Sequence, residues 1–74
     1  MKQQRRTVRQ LIEAAGGVER ISAALGQKPS PYAILKWRYN GVPDRYWPTI
    51  LTMANATADE MLAANISART GVDA

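Results

Sequence analysis

Cysteine and histidine are both absent from the 74 residues. Their absence excludes disulfides, thiol nucleophiles, imidazole bases and His- or Cys-ligated metals. Phenylalanine is missing too, so the hydrophobic 46% of the chain, much of it alanine, must supply a core from few large side chains. Chains of this length sit near the lower limit for one self-sufficient core. No apolar run approaches the roughly 20 residues of a membrane span, and Met1–Arg9 lacks the apolar stretch of a secretory signal. The six acids are scattered, Glu13 and Glu19 read as solvated helix surface, and there is no Gly-rich phosphate loop. These absences predict a protein that is not an enzyme, with no cofactor, no metal and no small-molecule ligand. They also predict a cytoplasmic location rather than a membrane or secreted one.

The charge that is present is unevenly placed. Residues 1–45 hold nine Lys/Arg and three acids, residues 46–74 one and three, so the two parts carry +6 and −2 of the net +4. Such asymmetry points to a polyanion as partner of the N-terminal two-thirds, with a merely solvated basic surface as the plain alternative.

Helical periodicity runs through the chain. Thr7 and Gln10 have capping-box spacing, and Val8, Leu11, Ile12 and Ala15 follow at i, i+3, i+4, i+7. Gly16-Gly17 closes this helix. A second helix is expected over Val18–Leu25, with Val18, Ile21 and Leu25 inward and Glu19, Arg20 and Ser22 outward. Its Ala23 and Ala24 are expected to admit a close neighbour. Gly26 stops it, and Gln27-Lys28-Pro29 makes a connection. Ser30 then reads as an N-cap with Pro31 at the first helical position, opening a third helix that buries Ile34 and Trp37 and ends at Asn40-Gly41.

Pro48 predicts an irregular or 3₁₀ turn over Asp44–Trp47, followed by a helix with Trp47, Ile50, Leu51 and Ala54 on one face. Tyr39 and Tyr46 are placed at the edge of the tryptophan cluster. Thr57 and Glu60 repeat the capping-box spacing and open a last helix to about Ser67. The expected fold is all-α, a compact bundle of four to five helices. It divides into a flexible basic arm (1–6), a helical domain (7–54), and a C-terminal helix with a frayed tail (55–74).

Two helices joined by a Gly-containing turn are the unit that places one helix in the DNA major groove. The order Gly16-Gly17-Val18, Ala23-Ala24-Leu25-Gly26, Ile34–Trp37 and Gly41-Val42-Pro43 resembles the Cro/repressor-type helix-turn-helix family of small phage and bacterial regulators, over about Val8–Ala54. The resemblance implies a lambda-repressor-like bundle whose third helix enters the groove. Ile34 and Trp37 match its core positions, and Pro31, Tyr32, Leu35 and Lys36 its base-contacting ones.

Lys28, Ser30 and Arg38 fall where phosphate contacts are expected, with Arg20 reaching the backbone from the second helix. Arg5, Arg6 and Arg9, with Lys2, form a basic arm expected to track phosphates or to enter a minor groove. The turn is about two residues longer than the family's commonest form, through Gln27 and Lys28. Pro31, Tyr32 and Leu35 stand where Gln, Ser, Asn or Arg is usual. Either thymine methyls and DNA shape supply the specificity, or the protein is a weak reader.

Met61, Leu62 and Ile66 either close the bottom of the core or, since family members commonly pair, form a homodimer interface, which is the expectation adopted. The function implied is a sequence-specific double-stranded DNA-binding regulator, a Cro-like repressor acting by promoter occlusion in a bacterial cell or phage-infected host, at the nucleoid. The alternative is a helix-turn-helix-shaped module that binds another regulator, a polymerase subunit or a toxin.

Overall fold

A computed structural model describes residues 6–70, so Lys2, Arg5 and the 71–74 tail lie outside the described residues. Thr7 opens α1 (Val8–Ala14) through the full capping box. Its Oγ1 accepts the Gln10 N–H at 3.1 Å, while its own N–H donates to Gln10 Oε1 at 2.9 Å. α1 ends where the Gly16 and Gly17 N–H groups return to Glu13 and Ile12 carbonyls, a closure that needs the left-handed Gly16 (φ 111°).

The other elements are α2 (Val18–Ala24), α3 (Pro31–Leu35), α4 (Trp37–Asn40), a 3₁₀ turn (Asp44–Tyr46), α5 (Trp47–Ala54) and α6 (Ala58–Thr70). Among the described residues there is no strand. The fold is an all-α bundle.

α3 and α4 form the single helix expected from the sequence, tightened at Lys36. There the Lys36 N–H bonds back three residues to the Ala33 carbonyl at 3.1 Å, and the Tyr39 N–H does the same to Lys36. The 3₁₀ turn falls where Pro48 predicts it, and α5 starts at Trp47, one residue before the proline.

The core draws on every helix: Leu11, Ile21, Ile34, Ile50 and Met61 are all fully buried, and each contributes about 1.5–3 kcal/mol relative to exposure. Trp37 joins them and stacks on Tyr46 with ring centroids 5.4 Å apart. Trp47 lies at the core's edge and donates its Nε1–H to the Val42 carbonyl at 2.9 Å.

Several expectations are corrected. Ser22 is fully buried rather than outward: with Val18, Ile21 and Leu25 it completes one i, i+3, i+4, i+7 stripe. Its Oγ donates to the Pro29 carbonyl at 2.8 Å, so Ser22 rather than the exposed Ala23 and Ala24 is the small residue beneath the turn into α3.

Met61 is fully buried inside the single chain and is not available to a second copy. With Ala64 and Asn65 it makes α6 part of the same core as α1 to α5. α6 also runs beyond Ser67 to Thr70, because Arg69 Nε donates to the Asn40 carbonyl (3.1 Å) and ties its last turn to the end of α4.

Arg6, too, is corrected: it does not belong to a free arm. Its Nε and Nη2 donate to the two Glu60 carboxylate oxygens at 2.7 and 2.9 Å, and its Nη1 to the Ala54 carbonyl at 3.3 Å. A cation at the C-terminal end of α5 is favoured by the helix dipole, and the paired fork adds strength. Thr57 still caps α6 by accepting the Glu60 N–H at 3.1 Å. The Glu60 carboxylate, however, turns to Arg6 instead of completing a capping box.

Candidate nucleic-acid interface

The outward side of α3 and α4 is set by what the inward side must bury. Ile34 and Trp37 occupy the core, so Tyr32, Leu35 and Lys36 face away from it. Tyr32 is 69% and Leu35 37% exposed. Ser30 fixes the start of α3, its Oγ accepting the Ala33 N–H at 3.2 Å, and Pro31 follows as the half-buried first residue. Lys28 is exposed in the connection from α2.

Tyr39 was expected at the edge of the tryptophan cluster, a place that Tyr46 alone fills. Tyr39 is instead 67% exposed. Counting from Tyr32 shows the signal: Tyr32, Leu35, Lys36 and Tyr39 stand at i, i+3, i+4 and i+7 of one helical stripe.

Cations lie against both tyrosines. Lys36 Nζ sits 5.1 Å from the Tyr32 ring centroid and the Arg38 guanidinium carbon 5.3 Å from that of Tyr39. Both distances allow a cation–π attraction. Arg38 Nε also donates to the Leu35 carbonyl at 3.2 Å, which holds the guanidinium beside the stripe. No Asp or Glu occurs between Arg20 and Pro43, so no acid within this segment offsets its four cations.

The structure therefore brings together Lys28, Ser30, Pro31, Tyr32, Leu35, Lys36 and Arg38, and adds Tyr39. Arg20 is exposed on α2, its aliphatic stem lying over Gly16. Arg9 is exposed on α1, 4.0 Å from Glu13 in a loose i, i+4 pair of the kind that contributes little. Arg6 stands apart at the junction of α5 and α6.

Leu62 and Ile66, one turn apart on α6, are 51% and 53% exposed. Among the described residues no cluster of Asp and Glu is placed to hold a metal ion. No helix among them is long and apolar enough to cross a membrane. The chain matches no protein-family model, no curated protein and no solved structure.

Proposed function

We propose that the protein is a sequence-specific double-stranded DNA-binding transcription regulator of the Cro/repressor helix-turn-helix type, repressing by occluding a promoter. α3 enters the major groove and α2 lies across its mouth. The observation that carries this reading is the exposed stripe of Tyr32, Leu35 and Lys36, on a helix packed against α2 within an acid-free basic segment. The four cations of this acid-free segment match the phosphate backbone, which supplies a large share of the affinity of such complexes. Leu62 and Ile66, on the less basic C-terminal part, join two copies so that two α3 helices meet successive major grooves, roughly 34–36 Å apart.

The test is selection of bound duplexes from a random-sequence pool, followed by affinity measurements at about 50 and about 200 mM salt. A discrete, palindromic site is expected. With four phosphate contacts, affinity falls roughly 100-fold across that range. Absence of a selected site, with no loss on changing Tyr32, Lys36 and Arg38 to alanine, rejects the DNA reading. That outcome favours the protein-interaction module, for which the apolar character of Tyr32, Leu35 and Tyr39 is the specific argument.

A further inference from the structure

The helix that meets the groove carries very little that hydrogen-bonds to a base. On α3 only the Tyr32 hydroxyl is polar; Pro31, Ala33, Ile34 and Leu35 offer no side-chain donor or acceptor, and Ile34 is buried. Ser30 already uses its Oγ to accept the Ala33 N–H. Lys36 rests its ammonium against the Tyr32 ring. Bidentate recognition uses Arg or Lys for guanine and Asn or Gln for adenine. From Lys28 to Trp37 there is no Arg, Asn or Gln, only Lys28 and Lys36. Arg38, just beyond, is engaged by the Leu35 carbonyl and the Tyr39 ring.

One major-groove feature suits apolar side chains: the 5-methyl group of thymine. Resting on the double-stranded DNA reading, we infer that this face selects its sites by pyrimidine 5-methyl groups. Tyr32 and Leu35 are the specificity-determining contacts, and Tyr39 continues the same stripe. Two observations favour duplex DNA over an apolar protein partner as the occupant. The flanking Lys28 and Lys36 are exposed cations, and the Arg20–Pro43 segment is free of acids.

Removing a methyl group leaves every hydrogen-bonding atom of the base pair in place, so the test isolates this contact. Affinities of the intact protein are compared for poly(dA-dT) against poly(dA-dU), and for poly(dG-dC) against its 5-methylcytosine counterpart. Each methyl group buried corresponds to about fourfold in affinity. The methylated member of each pair is therefore expected to bind about 4- to 15-fold more tightly, for one or two methyls contacted. The Tyr32→Ala/Leu35→Ala variant should bind both members of a pair alike, and Lys28→Ala should weaken all four duplexes equally.

Equal binding within each pair by the unaltered protein, with steep salt dependence retained, overturns the methyl reading and leaves DNA binding standing. A preference that survives in the double variant overturns the assignment to Tyr32 and Leu35. Absence of binding to all four duplexes at low salt overturns both readings. If the double variant loses its unfolding transition, Tyr32→Ala alone carries the comparison, because that side chain is the more exposed of the two.

Discussion

The side-chain amide of Asn65 holds both backbone groups of Val42: Oδ1 accepts the Val42 N–H at 2.8 Å and Nδ2 donates to its carbonyl at 3.0 Å. Both residues are buried. Val42 follows α4 in the connection to the 3₁₀ turn, outside any helix, so its N–H has no helical partner. A buried amide without a partner is costly, and α6 supplies the partner from 23 residues away. The bond also fixes where the chain turns after the candidate reading stripe.

Asn65→Leu, which keeps the branching and the heavy-atom count of the side chain, should destabilise the fold by at least about 1–3 kcal/mol, because the Val42 N–H then lies buried without an acceptor. The measurement is the urea midpoint at unchanged slope. A midpoint equal to that of the unaltered protein would show that water reaches Val42 in its place.

Gly41 stands directly before this contact at φ 89° and ψ 163°, a region open essentially to glycine alone. A Cβ there would lie 3.0 Å from Arg69 Nε and 3.1 Å from Asn65 Oδ1. Gly41→Ala should cost about 1–3 kcal/mol by thermal or urea unfolding. Because Asn65 is one of the atoms met, the Gly41→Ala/Asn65→Ala double variant should lose less than the sum of the single losses. Strict additivity would assign the whole cost to backbone strain.

Hydrogen bonds from Arg6, reinforced by its charge, hold the Glu60 carboxyl below its ordinary value of 4.5 against the opposing effect of burial. A lowered folded-state value means that the folded protein favours the ionised form. The stabilisation is therefore complete above about pH 4.5 and is lost as pH falls below it toward the folded-state value. Glu60→Gln should lower stability near neutrality and flatten the decline below about pH 4.5. Parallel pH profiles for the two proteins would place the acid sensitivity in another carboxylate.

What could be read from the sequence divides by range. The Thr7 capping box, the Ser30-Pro31 helix start and the 3₁₀ turn before Pro48 are local, and each is found where its residues predict it. Trp37 and Ile34 follow from period alone. Ser22 was legible in the same way, since it completes the Val18–Leu25 stripe, but its hydroxyl argued for solvent until Pro29 provided an acceptor. Asn65 was not legible, because its partner is the backbone of Val42. Arg6 and Glu60 are 54 residues apart, and nothing local to either marks the pair. At the candidate interface the exposure of Tyr32 and Leu35 followed from burying Ile34 and Trp37, whereas Tyr39 required counting past Lys36.

Pairing of two copies through Leu62 and Ile66 predicts a dimer by light scattering at tens of micromolar protein. Both side chains are half exposed, so Leu62→Lys/Ile66→Lys should give monomers that keep the unfolding midpoint of an isolated chain. Weaker operator binding should accompany the change, since two half-sites are then engaged independently. A monomer in the unaltered protein rejects the interface.

The basic residues should separate by their place in the fold. Lys28 and Arg20 are exposed on the elements leading into and beside α3, so replacing either with alanine should weaken binding to all sequences alike. Each change should also lower the slope of log affinity against log salt by about 0.9. Arg6 has its guanidinium engaged by Glu60 and the end of α5, so Arg6→Gln should lower stability while leaving that slope unchanged. The comparison is made well below the unfolding transition of each variant, so that loss of folded protein does not pass for loss of affinity. A slope that falls for Arg6→Gln as much as for Lys28→Ala would mean that the Glu60 pair opens on DNA and that Arg6 contacts phosphate after all.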